Sequence, residues 1–211
     1  MCRSIGFVFV ALMAAGVCGA QVTSFGVSGG YSRLESNDSG RLFHSRDGAY
    51  FDGDFAWRIP RLPVPVYAGL GVSGSGYFDS RDVLVPITDT FTGVGALYSD
   101  VGLFSLEARV AMPIGFHRGH GLFVMPRLGL GLVLNDYEID TARGIGSTIF
   151  LHTTYHDGAA FGIRPSIQAG YSWGSIAAGA EVSYMVAWGD FGELGNVARE
   201  LRAGAFVRFQ W

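Results

Sequence analysis

Eight separate stretches of this chain alternate apolar and polar residues with a period of two, and none of comparable strength carries the 3.6-residue period of a helix. Successive side chains of an extended strand point to opposite faces, so each stretch reads as a strand with one apolar face. "SFGVSGGYSR" sets Phe25, Val27, Gly29 and Tyr31 against Ser24, Gly26, Ser28, Gly30 and Ser32. "AYFDGDFAWRI" sets Phe51, Phe55, Trp57 and Ile59 against Asp52, Asp54 and Arg58, and "VPVYAGLGVSG" sets Val66, Ala68, Leu70 and Val72 against Gly69, Gly71 and Ser73. "LFSLEARVAM" opposes Phe104, Leu106, Ala108, Val110 and Met112 to Ser105, Glu107 and Arg109. "LFVMPRLGLGLVLN" opposes Leu122, Val124, Leu128, Leu130, Leu132 and Leu134 to Arg127, Gly129, Gly131 and Asn135. In "FGIRPSIQAGYSW" the polar set is Arg164, Ser166 and Gln168, and in "IAAGAEVSYMVAW" it is Glu181 and Ser183. The eighth runs from Leu201 through "AGAFVRFQW", with Val207, Phe209 and Trp211 on one parity and Arg202 and Arg208 on the other.

Two placements of the apolar face compete. A soluble barrel or sandwich turns it inward to a core, whereas a membrane barrel turns it outward to lipid and lines its interior with the polar face. Charge alone does not decide, since Asp52, Asp54, Arg58, Glu107, Arg109, Arg127, Arg164, Glu181, Arg202 and Arg208 all share the polar face. Ring position does. With strand directions alternating, Phe25, Trp57, Trp173, Phe209 and Trp211 fall at one end and Tyr31, Phe51, Phe161, Tyr184 and Trp188 at the other, with aliphatic residues between. Two aromatic girdles flanking an aliphatic band are what membrane interfaces select, and a soluble core has no reason to sort rings by height. Connections alternate as well: 34–46, 76–101 and 135–158 are long, 60–63, 113–121 and the Gly-Ser pair 174–175 are short, and 189–197 is intermediate.

Lipid offers no water to unpaired backbone groups, so the expected fold is a closed, all-β, eight-stranded antiparallel up-and-down transmembrane barrel. Its interior is only wide enough for side chains, and inward glycines such as Gly26, Gly71 and Gly129 make room. Pro126 and Pro165 fall inside strands, where each removes a ladder donor, so a bulge or broken pairing is expected at one or both.

Residues 1–20, "MCRSIGFVFVALMAAGVCGA", have Arg3, an apolar run and small residues at the end, the pattern of a cleaved secretory signal peptide. The run is too short for a membrane helix, and Val17 before Cys18 argues against lipoprotein processing. The barrel domain is thus 21–211. Cys2 and Cys18 both lie in the signal, so the domain has no disulfide. A net charge of −3 argues against nucleic acid as a partner, and all 15 basic residues are arginines, which pair carboxylates bidentately in narrow, dry spaces.

The whole barrel domain resembles the small eight-stranded outer-membrane barrels of the OmpA transmembrane-domain and OmpX type. The most specific piece is "FVRFQW", similar to the C-terminal signal that such barrels present to the outer-membrane assembly machinery, with Trp211 in place of the usual Phe. The OmpW type is a second comparison, but its interior is largely hydrophobic and the polar face here is charged. The resemblance implies a bacterial outer-membrane location, contact with outer-membrane lipid, a monomeric state, no cofactor and no enzymatic activity. The charged lumen is expected to be a salt-bridged plug, the competing readings being a narrow channel for small solutes and a soluble lipocalin-like periplasmic carrier.

Some barrels of this size are lipid-A deacylases, acylases or proteases, but no outward wall position holds the His and Ser that a deacylase requires, and His44-Ser45 is loop-borne. His152 and His156 are about 13 Å apart in extended chain, too far for one ion, and His117 and His120 need further ligands, so no metal is expected. The long connections are acidic, with Asp79, Asp82, Asp89 and Asp100 in one and Asp136, Glu138, Asp140 and Asp157 in the next. They form a solvated face and, as the alternative, a recognition surface for a host or extracellular ligand. "GSTIFLHTTY" has strand character and is expected to prolong a hairpin beyond the membrane, giving an edge for a partner.

Overall fold

The computed structural model describes residues 24–36, 47–59, 62–88, 91–115, 120–145, 148–192 and 195–210. Eight strands follow in order: β1 (Ser24–Ser36), β2 (Asp47–Arg58), β3 (Tyr67–Thr88), β4 (Phe91–Ala111), β5 (His120–Ile145), β6 (Thr148–Trp173), β7 (Ile176–Gly189) and β8 (Val197–Gln210). Each pairs antiparallel with its neighbours in sequence, and β1 closes on β8, leaving no edge around the barrel. The signal segment and Trp211 lie outside the described residues.

Parity governs the faces as the alternation predicts. Along β5, Leu122, Val124, Leu128, Leu130, Leu132 and Leu134 are exposed on the outside while Phe123, Met125, Arg127 and Val133 are buried inside. The wall carries solvent-exposed large hydrophobics on strand after strand, among them Val27, Phe51, Val110, Ile167, Val182 and Val207. A monomer in water rarely exposes such a continuous apolar belt, so its medium is hydrocarbon.

Two expectations change. The connections 76–101 and 135–158 are largely strand: β3 runs on to Thr88 and β4 begins at Phe91, and β5 runs on to Ile145 and β6 begins at Thr148. A tilted membrane strand needs about 9–11 residues. Strands β1, β2, β7 and β8, with 12 to 14 residues, end near that length, whereas β3 to β6 have 21 to 26. The β4–β5 ladder continues to Gly95↔Arg143, so the four long strands stand above the barrel as one sheet. Of "GSTIFLHTTY", the residues from Thr148 on lie in β6 of that prolonged hairpin, as expected, and Gly146 and Ser147 lie outside the described residues.

The prolines interrupt pairing without shifting register. The β4–β5 ladder ends at Ala111↔Arg127 and resumes as an isolated bridge, Ile114↔Val124, with Met112 N donating to Pro126 O at 3.1 Å. Beside Pro165 the β6–β7 ladder skips from Ile163↔Val186 to Ser166↔Ser183. At the short-turn end, Gly174 and Ser175 join β6 to β7 with Gly174 at φ 66°, a left-handed conformation that costs glycine little.

The second change concerns the interior, which is not charged throughout. Near the long-hairpin end Leu34, Tyr77, Val101, Leu103, Val133, Tyr137, Ala160, Met185, Ala187, Phe191 and Ala198 form one buried cluster. At the opposite end Ala111, Phe123, Met125, Ala177 and Phe206 form a second, with Tyr67 against it. Read down β4, the inward residues are Val101 and Leu103, then Ser105, Glu107 and Arg109, then Ala111. A polar layer is thus held between two apolar ones.

Candidate functional site: an ion-pair layer inside the barrel

Five arginines and five carboxylates occupy the polar layer. Arg109 on β4 grips Asp52 on β2 with both terminal nitrogens, Nη1 at 2.7 Å from Oδ1 and Nη2 on Oδ2, and its Nε donates to Glu107 Oε2 at 3.0 Å. Arg164 on β6 reaches Glu107 Oε1 at 3.0 Å, Ser73 Oγ at 2.7 Å and Glu200 Oε2 at 3.4 Å. Arg202 on β8 pairs with Glu200 at 2.9 Å and lies over the Tyr50 ring, 5.0 Å from its centroid. Arg208 donates to both oxygens of Asp54, at 2.8 and 3.0 Å, and to Ser24 Oγ at 3.0 Å. Arg127 joins the halves, with Glu181 at 3.3 Å, Asp54 at 3.7 Å and Asp52 at 4.0 Å.

All ten are buried, and their formal charges cancel. That balance is what a low-dielectric interior demands, because an unpaired ion there costs several kcal/mol. Neutral groups complete the layer: Ser105 Oγ donates to Glu107 at 2.8 Å, Gln168 Nε2 to Glu181 at 2.6 Å and Tyr77 Oη to Glu200 at 2.5 Å. Glycine supplies the width. A Cβ on Gly71 would stand 2.2 Å from the Arg109 guanidinium, and one on Gly129 would stand 2.4 Å from a Glu107 oxygen.

Nine of the ten charges expected in the lumen are in this layer: Asp52, Asp54, Glu107, Arg109, Arg127, Arg164, Glu181, Arg202 and Arg208. Arg58 is the correction. Its parity is inward, but it is the last residue of β2, at the rim, and is exposed. Glu200 is the omission: it shares parity with Arg202 and Arg208, and its carboxylate, 0% exposed, is the fifth anion that balances the five buried arginines. The signal was present in the alternation, one residue before the stretch taken as a strand.

The ring residues point outward. Tyr31, Phe51, Phe161, Trp173, Tyr184, Trp188 and Phe209 are exposed, and Phe25 and Trp57 partly so. Phe25 meets Phe55 with centroids 4.9 Å apart and faces Phe209 across the β1–β8 ladder, while Phe161 faces Trp188 across β6–β7.

Among the described residues no group of three or more His, Cys, Asp and Glu side chains is placed to hold a metal. His44 and Ser45 lie outside those residues, as does His117. Outside the barrel proper, Asp100, Asp136, Glu138 and Asp157 are exposed on the β4–β6 extension. Register sets Asp100 beside Glu138 and Asp136 beside Asp157, and partial burial together with Asp136 raises the Asp100 carboxyl above its ordinary range. Tyr155 Oη donates to Glu138 Oε1 at 3.1 Å, which raises the Tyr155 phenol.

A closed eight-stranded antiparallel barrel with an apolar exterior and an ion-paired interior is the architecture of the small outer-membrane β-barrels. Neisserial surface protein A, an eight-stranded barrel of that class, has this fold: at 15% identity the match covers 92% of this chain and 99% of that one, with a TM-score of 0.50. Ail, the attachment invasion locus protein of Yersinia pestis, aligns over 90% of this chain and all of its own at 13% identity, TM-score 0.46. The N-terminal β-barrel domain of Pseudomonas aeruginosa OprF aligns over 92% of this chain at 13% identity, TM-score 0.34. No family profile and no curated protein matches the chain in sequence.

Proposed function

We propose that the protein is a monomeric outer-membrane barrel with a sealed lumen, whose role is structural or surface-interacting rather than one of transport or catalysis. It is exported by a signal peptide cleaved after Ala20, and its C-terminal strand is read by the outer-membrane assembly machinery. The observation that carries the reading is the division of labour between the two halves of the molecule. The lumen is filled by paired charges between two apolar clusters, leaving near the short-turn end a cavity of only about 30 Å³, lined by Asp54, Arg109, Arg127 and Arg208 among others. Such a volume holds a water molecule, not a solute stream.

The sheet of β3 to β6, in contrast, extends past the wall. β2 leaves β3 after Gly48↔Tyr77, and β7 leaves β6 after Ala160↔Gly189, so among the described residues β3 above Tyr77 and β6 before Ala160 have a ladder partner on one side only. An open edge accepts an extended segment of a partner through main-chain hydrogen bonds. Its acidic outer face at Asp100, Asp136, Glu138 and Asp157 favours a cationic partner.

Purified protein in planar bilayers, alongside binding of basic peptides to the same preparation in vesicles, tests both halves. Silent bilayers with salt-sensitive peptide binding support the proposal. A steady conductance altered by Glu181→Gln or Arg127→Gln makes the lumen a channel instead, and aqueous extraction of folded protein removes the membrane reading in favour of a periplasmic carrier.

A further inference from the structure

We propose that a pit in the lipid-facing wall, floored by Gly53 on β2, seats one acyl chain of a phospholipid from the leaflet at the short-turn end, with the headgroup phosphate held by Arg58. The site rests on the outer-membrane reading above. The pit has a volume of about 370 Å³, within the range of small-ligand clefts. Phe51 closes it toward the long hairpins, Phe55 and Phe25 toward the short turns, Val27 on the β1 side, and Val72 and Leu106 on the β3–β4 side.

Register explains the shape. Val27, Gly53 and Val72 stand in one row across β1, β2 and β3, with Gly29, Phe51 and Gly74 in the row above and Phe25, Phe55 and Leu70 in the row below. The residue without a side chain is thus bracketed by two rings on its own strand and by a valine on either side. Phe25 and Phe55 meet with centroids 4.9 Å apart, and Phe51 leans over Gly74, where a Cβ would stand 2.4 Å from the ring. From Phe51 to Phe55 the strand rises about 13 Å, close to half of a hydrocarbon core about 30 Å thick.

Nothing in the packing of the barrel calls for glycine at this position. On Gly71 and Gly129 a Cβ would strike the ion-pair layer, but on Gly53 it would meet only Gly26 O, at 4.0 Å. The backbone there is ordinary strand, outside the left-handed region. Glycine inside a strand weakens it and often marks the close approach of a ligand. The open space above Gly53 is therefore one that the fold does not impose.

Hydrocarbon is the occupant because the lining is almost wholly apolar and continuous with the belt that meets lipid. Charge selects the leaflet. At the long-hairpin end of β2, Asp47 accepts a hydrogen bond from Tyr31 and faces Arg33 across the ladder, so the charge there is matched. At the short-turn end Arg58 is exposed and makes no ion pair among the described residues, about 10 Å along the strand from Phe55. Its planar fork suits a phosphate.

Photocrosslinking tests this in protein reconstituted into phosphatidylethanolamine vesicles containing a phosphatidylglycerol probe with a diazirine in its acyl chain. Adducts at residues 51–55 and 70–72 should exceed those at Leu128, Leu130 and Leu132 by about tenfold. Gly53→Leu, which fills the pit, should bring them down to the level of β5, and Val72→Phe, which narrows it from β3, should lower them as well. Arg58→Glu should reduce them by about threefold, as the loss of an exposed ion pair does. Even labelling around the belt of inserted protein, or an excess that survives whichever pit variant assembles, would overturn the site alone. An excess that ignores Arg58→Glu and is competed away by lipopolysaccharide would put the chain in the other leaflet and overturn the assignment to phospholipid. Failure of the parent protein to insert would remove the outer-membrane reading and the site with it.

Discussion

The inward charges differ in worth according to whether water reaches them. Arg109 is 6% exposed and serves two carboxylates, so Arg109→Gln leaves Asp52 and Glu107 short of a cation in a dry interior. Breaking a buried pair in this way costs about 3–5 kcal/mol. Equilibrium urea unfolding of the barrel in vesicles should report that loss, and Arg109→Gln with Asp52→Asn should recover part of it. Arg58→Gln, at the exposed rim, should stay within about 0.5 kcal/mol of the parent. Nine of the lumen charges were legible because period-two parity needs no tertiary information. Arg58, expected near the periplasmic mouth, stands at that rim but outside the ion-pair layer, because parity fixes direction and not depth. Phe191 was not legible at all, since nothing in "GDFGELGN" indicates that a connecting segment turns its ring inward.

At the scale of strands, alternation gave the faces and the pairing order, while length came out short for β3 to β6. Hydrophobic alternation fades where a strand leaves lipid, because neither face of the extension needs to be uniformly apolar, and acidic residues there look like loop. The raised Asp100 carboxyl gives the extension a pH signature. Its proton is held more tightly folded than unfolded, so it contributes stability below the unfolded pKa that is lost as pH rises through the folded one. Amide exchange in the β4–β5 extension, corrected for intrinsic rates, should slow as pH falls from neutral into the carboxylate range. Asp100→Asn should flatten that dependence. An extension equally protected at every pH would mean that the repulsion from Asp136 has no structural consequence.

For the whole molecule, one arrangement explains the composition: lipid outside, paired charge within, and a sheet carried above the wall. Closure of β1 on β8 satisfies the edges of the barrel wall, and among the described residues β3 and β6 lack a second ladder partner above it. The predicted result in planar bilayers is the absence of discrete conductance steps, since the apolar clusters bracket the ion layer on both sides. The central claim is that the apolar face meets lipid, and spin-label accessibility along β5 tests it most directly. Single labels at Val124, Leu128, Leu130, Leu132 and Leu134, in protein reconstituted into vesicles, should be relaxed by dissolved oxygen and shielded from a water-soluble nickel chelate. Labels at those positions relaxed chiefly by the chelate would place the belt in water and contradict the account.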